Sequence, residues 1–190
     1  MSRDAERRAA LGAPSPHFTA QVERIRRAAA LGPILDLACG HGRHAVPAAD
    51  LGLPVVALDR DREALATLTQ VVPTRGGRLL PVAADLEGRG APPLRPGGFG
   101  AVLVFRYLHR PLFPTIEALL APGGLLLYET FTLDQRALGW GPGRDAFLLG
   151  PGELARAFPG LEILDYTEGP TAEARPAHTA RLLARRPASR

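Results

Sequence analysis

Asp36-Leu37-Ala38-Cys39-Gly40-His41-Gly42-Arg43-His44-Ala45 is the stretch that decides the fold. It follows the apolar run Pro33 to Leu37 and opens a helical pattern, Arg43 to Leu51. Two glycines two positions apart let a backbone turn tightly and approach a ligand with no side chain between them. Asp36 stands at the end of the strand, just before that turn. Strand, acid, glycine loop, helix is an order suited to a nucleoside-bearing cofactor.

The same alternation continues outward. Val55 to Leu58 reads as a second buried strand ending at Asp59, followed by a helix from Asp61 to Val72 that Pro73 stops. Leu79 to Ala84 is a third strand ending at Asp85, and Gly88 to Gly98 is a Gly/Pro-rich loop. Ala101 to Phe105 is a fourth strand, Pro111 to Leu120 a helix, Pro122-Gly123-Gly124 a turn, and Leu125 to Tyr128 a fifth strand. Strands alternating with helices predict a doubly wound parallel sheet. After a short helix from Pro151 to Phe158, Leu161 to Tyr166 and Thr179 to Ala184 are two strands with no helix between them, so they should pair antiparallel. The expected fold is a single-domain α/β, Rossmann-like, mostly parallel seven-stranded sheet closed by a C-terminal antiparallel hairpin. Upstream, Phe18, Val22, Ile25 and Ala29 fall at helical spacing up to the stop at Gly32-Pro33, and Arg3 to Leu11 is a first helical piece. Residues 1–31 are thus an N-terminal helical segment and a candidate lid, and 32–190 the cofactor-binding domain.

Composition narrows the classes. The chain has 190 residues, 46% apolar and 22% charged, as expected of a globular domain. No apolar run reaches the roughly 18 residues a spanning helix needs. The charged opening Met1 to Ala10 lacks the apolar core of a signal peptide, and Cys39 is the single cysteine, so the cytoplasm is the expected location. All 23 basic residues are Arg, and the net charge is +4. The arginines are scattered rather than clustered, which disfavours a nucleic-acid footprint. His41, His44 and His109 have no recognised metal spacing, so no metal is expected.

Gly40-x-Gly42-x-x-Ala45 fits the loose dinucleotide fingerprint, and Asp59 follows Gly40 by 19 residues, where an acid can accept from both ribose hydroxyls. These features alone admit a nicotinamide cofactor. Asp36 and Asp85 oppose it, because a pyrophosphate would be repelled by an acid at Asp36, whereas a cofactor with an amino group or a sulfonium would be attracted. Asp85 can accept from an adenine amino group, with Leu86 supplying a backbone donor. Asp36 and Asp59 would each also suit a helix cap.

In combination, these residues resemble class I S-adenosylmethionine-dependent methyltransferases over roughly Gly32 to Arg186. The Asp36–Gly42 loop is similar to that family's first motif, Asp59 to its ribose-binding acid, Asp85-Leu86 to its adenine-binding pair, and Pro122-Gly123-Gly124 to its turn before strand five. Arg106-Tyr107-Leu108-His109-Arg110-Pro111 and Tyr128-Glu129-Thr130-Phe131-Thr132 resemble small bacterial members of the tellurite-resistance type. The resemblance implies S-adenosylmethionine as cofactor, with Asp36, Ala38, Gly40, Gly42, Asp59, Arg60, Asp85, Leu86 and Phe105 around it.

Acceptor residues are expected at the C-terminal ends of strands four and five. Tyr107 would wall the pocket, His109 is the candidate base, Arg110 would hold an anionic acceptor, and Glu129 is a fourth catalytic candidate. The chain has Phe105-Arg106-Tyr107-Leu108 where base-amine methyltransferases of the family carry Asn/Asp-Pro-Pro-aromatic. A small-molecule acceptor is therefore expected ahead of RNA, with a nicotinamide oxidoreductase or a non-catalytic binding module as further alternatives. Phe131 to Gly150, which contains Trp140, and the segment around Pro16-His17-Phe18 are the candidate lids. The acceptor and the oligomeric state are not legible in the sequence.

Overall fold

Phe99 to Phe105 carries no polar side chain, and all 7 of its residues are buried. A strand of that composition requires cover on both faces, and it forms the middle of the sheet. In a computed structural model of the chain, which describes residues 11–70, 76–88, 92–172 and 175–188, this strand is β4. The others are β1 (Ile34–Leu37), β2 (Pro54–Asp59), β3 (Arg78–Ala83), β5 (Leu120–Phe131), β6 (Glu162–Pro170) and β7 (His178–Arg185). Their order is β3-β2-β1-β4-β5-β7-β6. The pairs β1–β2, β1–β4, β2–β3 and β4–β5 are parallel, and β5–β7 and β6–β7 are antiparallel. The expected sheet and its closing hairpin are thus present. Pro81 lies on β3, an outermost strand, where a missing N–H is tolerated.

The helices are α1 (Pro16–Ala20), α2 (Val22–Ala28), α3 (Ala45–Asp50), α4 (Arg62–Leu68), α5 (Phe113–Leu119) and α6 (Glu153–Arg156). Phe18, Ile25, Val46, Leu65 and Leu68 place α1 to α4 on one face, over Ile34, Leu103 and Leu127. Ile116, Leu119 and Leu154 place α5 and α6 on the other, over Leu35, Val102 and Leu182. Successive residues of one strand enter opposite layers because strand side chains alternate.

Local differences have local causes. The single N-terminal helix is two, broken at Gln21. The helix after the glycine loop begins at Ala45 rather than Arg43, because Gly42 at φ +86 and the following turn delay it. Strand pairing in β5 begins at Leu120, before the Pro-Gly-Gly turn, with a register shift opposite Phe99 to Ala101. The first helical piece, Arg3 to Leu11, lies outside the described residues except for Leu11, and so do Val72 and Pro73.

The N-terminal segment is built into the sheet's layer. Phe18 and Ile25 are buried, and a Cβ added at Gly100 would lie 2.0 Å from the Ala28 carbonyl oxygen. Gly100→Ala must therefore push α2 off β4. Overpacking of this kind costs about 1–3 kcal/mol, and the expected result is a lower urea midpoint with little change in m. An unchanged midpoint would mean that α2 moves freely over the sheet.

Candidate active site

The C-terminal ends of β1 to β5 converge on one cleft of about 410 Å³, between the strand ends and the loop after β5. In open α/β sheets that is where ligands bind. Two non-glycine residues with left-handed backbone flank it, Ala38 at φ 58 and Arg106 at φ 56, and among the described residues they are the only such pair. They end the adjacent strands β1 and β4. Strain of about 1–3 kcal/mol per residue is retained where the surroundings impose it, commonly beside a ligand.

The loop glycines divide their roles. At Gly42 (φ +86) a Cβ would lie 2.5 Å from Leu68 Cδ2, so its bareness lets α4 pack against the loop. At Gly40 (φ +51) a Cβ would meet no atom within 4 Å, so that side of the loop is open.

Three acids border this loop and the cleft. Asp36 is 2% exposed, and its carboxylate accepts from the Ala45 N–H at the start of α3. Its Oδ2 is buried with no hydrogen-bond partner among the described residues. Burial is the main cause that pushes its pKa up to about 7, with the Asp59 charge adding to it. Asp59 accepts from the Gly40 N–H at 2.7 Å through Oδ2 and from the Asp61 N–H at 2.9 Å through Oδ1. The cap of α4 is Asp61, which accepts from Glu63 and Ala64 N–H. Asp85 accepts from the Glu87 N–H at 2.9 Å. Asp59, Arg60, Asp85 and Leu86 line the cleft together, as does Ala38.

The remaining site candidates are dispersed. Tyr107 lines the cleft, its hydroxyl 3.5 Å from Glu87 Oε1; burial first and the Glu87 charge second push the phenol up. Its backbone is held by Tyr128, whose buried hydroxyl donates to the Tyr107 carbonyl at 2.9 Å. Phe105 stacks on His44 with ring centroids 3.7 Å apart, so its side chain packs toward α3. His109 precedes the 3-10 turn Arg110–Leu112 and is not among the residues lining the cleft. Arg110 donates to both Glu153 oxygens and to the Ala146 and Leu148 carbonyls. The bonds between the two side chains raise the Arg110 pKa and lower that of Glu153. Glu129 is buried and accepts from the Ser15 hydroxyl. Thr130 and Phe131, next in the strand, line the cleft.

Two features went unread in the sequence. Ser15 N–H donates to His44 Nε2 at 3.1 Å, and burial pushes the His44 pKa down to about 3, so the imidazole is neutral with Nε2 as acceptor. The Ser15-Pro16 pair does carry a helix-start signal, since the Ser15 hydroxyl accepts from the His17 N–H. Gln135 is fully buried, donating to the Trp140 carbonyl at 2.8 Å and accepting from the His178 N–H at 2.8 Å. It ties the loop after β5 to β7. Among the described residues no cluster of three His, Cys, Asp or Glu could hold a metal ion, and no helix is long and apolar enough to cross a membrane.

The strand order and the acids at the ends of β1, β2 and β3 define a class I methyltransferase fold. Residues 34–124, just under half of the chain, match the family model described as a methyltransferase domain. Solved structures with the same fold include TehB from Haemophilus influenzae, with 19% identity and a TM-score of 0.65 over 86% of this chain and 62% of TehB. An S-adenosylmethionine-dependent methyltransferase from Methanosarcina mazei has 16% identity and a TM-score of 0.67 over 83% of this chain and 93% of that one. A structure described as "Conversion of a Disulfide Bond into a Thioacetal Group during Echinomycin Biosynthesis" has 21% identity and a TM-score of 0.67, covering 93% and 84%. No curated protein matches the chain in sequence.

The residues fit that cofactor. Asp36 Oδ2 is a buried acceptor lacking a donor, and the open side of Gly40 leaves room beside the loop. Each Asp59 oxygen accepts one backbone N–H and has a further lone pair for a hydroxyl.

Proposed function

We propose that the chain methylates a small molecule held between the ends of β4 and β5, with S-adenosylmethionine as methyl donor. The observation that carries this reading is the unpartnered buried Asp36 oxygen behind a cleft lined by Asp59 and Asp85. That arrangement suits a cationic, ribose-bearing ligand and disfavours a pyrophosphate. Asp59 would hold the ribose, Asp85 and Leu86 the adenine, and the Asp36–Gly42 loop the amino-acid end. The cofactor supplies an activated methyl group. What the chain adds is alignment of the acceptor and exclusion of water. Tyr107, Thr130 and Phe131 would wall the acceptor, and the pinned loop after β5 would close its far side. The cytoplasm is the proposed location, which the single cysteine suits.

S-Adenosylhomocysteine, which cannot react, should raise the melting temperature, by about 2.7 kcal/mol of stabilisation at a hundredfold excess over Kd. Stabilisation by NAD(P) instead would overturn the proposal. His109 does not line the cleft, so His109→Ala is expected to keep its rate within threefold on any acceptor found in a methyl-transfer screen. A loss of tenfold or more with a shifted pH profile would restore it as the base.

A further inference from the structure

On the methyl-transfer reading above, we infer that Gln135 is a positioning residue for that reaction: its buried amide fixes the loop after β5 as a preformed wall of the acceptor half of the cleft. Pro142 and Phe147 of that loop line the cleft, beside Thr130 and Phe131 of β5. Where these two loop side chains stand is therefore set by whatever holds the loop.

Burial in the first turn of the loop runs against residue type. In Asp134-Gln135-Arg136-Ala137-Leu138 the glutamine is fully buried, while Leu138 is 37% exposed. Glutamine is ordinarily a surface residue and leucine a core one, so hydrophobicity does not account for this turn. Hydrogen bonding does. A buried amide needs partners at both ends, and here both partners are backbone groups. Nε2 donates to the Trp140 carbonyl and Oε1 accepts from the His178 N–H, each at 2.8 Å. A carbonyl only accepts and an N–H only donates, so the amide has one orientation. A single side chain thus joins β7 to the loop two residues before Pro142.

The surrounding chain is shaped to that bond. Gly141 (φ +85) turns the backbone over the glutamine, and a Cβ there would lie 3.4 Å from Nε2. Trp140 meets Phe131 edge-on at 5.8 Å, and Arg175 Cζ, from the connection between β6 and β7, lies 4.2 Å from the centre of the Trp140 ring. The base of the loop is closed by the Leu133 N–H donating to the Leu149 carbonyl and the Leu149 N–H donating to the Phe131 carbonyl. Arg110 holds the returning limb through the Ala146 and Leu148 carbonyls. None of these contacts uses the ends of β1 to β3, where Asp36, Asp59 and Asp85 stand, so the wall and the cofactor half are held independently.

The test uses the full chain and Gln135→Met, which fills the space without the two bonds; Gln135→Asn replaces it if the methionine variant is not folded by circular dichroism. S-Adenosylhomocysteine binding to wild type is read first, by calorimetry, and its failure sinks the methyl-transfer reading itself. Trp140 is the chain's single tryptophan, so its quenching by acrylamide reports on the wall. In wild type the quenching should be the same with and without S-adenosylhomocysteine; a twofold fall on binding means that the wall closes on its ligand, and overturns the inference. Gln135→Met should raise the quenching at least twofold while keeping S-adenosylhomocysteine affinity within threefold of wild type. Methyl transfer is then measured on benzyl mercaptan, benzylamine, phenol and benzoate, four nucleophiles on one apolar ring. For the member that wild type methylates fastest, Gln135→Met should raise KM at least tenfold with kcat within threefold, the mark of a lost binding surface. A role only in folding would lower kcat and S-adenosylhomocysteine binding together and leave KM unmoved, and that pattern overturns the inference. So do unchanged quenching, an unchanged KM, or a wild type that binds S-adenosylhomocysteine yet methylates no member of the panel.

Discussion

Asp36→Asn is expected to stabilise the ligand-free protein at pH 8 and to weaken S-adenosylhomocysteine binding at least tenfold, about 1.4 kcal/mol. Asp36 is buried, one oxygen is unpartnered, and burial raises its pKa from 3.8 to about 7. The sign follows from proton counting. Between about pH 4 and 7 the folded protein retains a proton that the unfolded chain has released. Stability from this group is therefore complete below the unfolded pKa and is lost as pH rises toward 7. Above that, the folded state carries a buried charge at constant cost. Asparagine has no charge to bury, and its oxygen can still accept from the Ala45 N–H. Its amide N–H is left unpaired, which offsets about 1–3 kcal/mol of the gain. The melting-temperature difference, variant minus wild type, should therefore grow between pH 4 and 7 and level off near pH 8. A difference that does not vary with pH would show that Asp36 titrates as an exposed acid. Unchanged S-adenosylhomocysteine affinity would remove it from the cofactor site. A position where the uncharged residue folds better and binds worse is occupied by an acid for the ligand's sake.

The parallel core was readable because strands covered on both faces must be apolar throughout, as Ile34 to Leu37 and Phe99 to Phe105 are. The closing hairpin was readable because no helical pattern separates β6 from β7. The acids Asp36, Asp59 and Asp85 could be placed because each ends a strand, and strand ends in such a sheet share one edge. What the sequence did not disclose lies in contacts between distant segments. Ser15 meets Glu129 across 114 positions, and Arg110 meets Glu153 across 43. Nothing in local periodicity tells an arginine that lines a cleft from one held by a glutamate, so the grip of Glu153 on Arg110 is seen only once the chain is packed. The short helices were equally opaque. Asp59 and Asp61 both stand at the entry to a helical pattern, and the bonds that Asp61 accepts from the Glu63 and Ala64 N–H groups make it the residue that caps α4.

Asp59→Ala should be the most damaging single change at the site, with S-adenosylhomocysteine affinity falling at least a hundredfold, about 2.7 kcal/mol. Two losses combine. The carboxylate holds the Gly40 N–H at 2.7 Å and the Asp61 N–H at 2.9 Å, so its removal frees the glycine loop and the entry to α4 at once. It also removes the acceptor proposed for the ribose hydroxyls. Asp59→Asn is expected to be nearly as harmful, because one backbone N–H would then face an amide N–H instead of an oxygen. An analogue of S-adenosylhomocysteine lacking the 2′ and 3′ hydroxyls separates the two effects. Wild type should bind it at least tenfold less tightly than the parent ligand, whereas Asp59→Ala should bind both alike. If the alanine variant still discriminates as wild type does, the ribose contact lies elsewhere and Asp59 acts only by fixing the loop. If affinity for both ligands is unchanged, neither role stands, and the bond from Gly40 is incidental to cofactor binding.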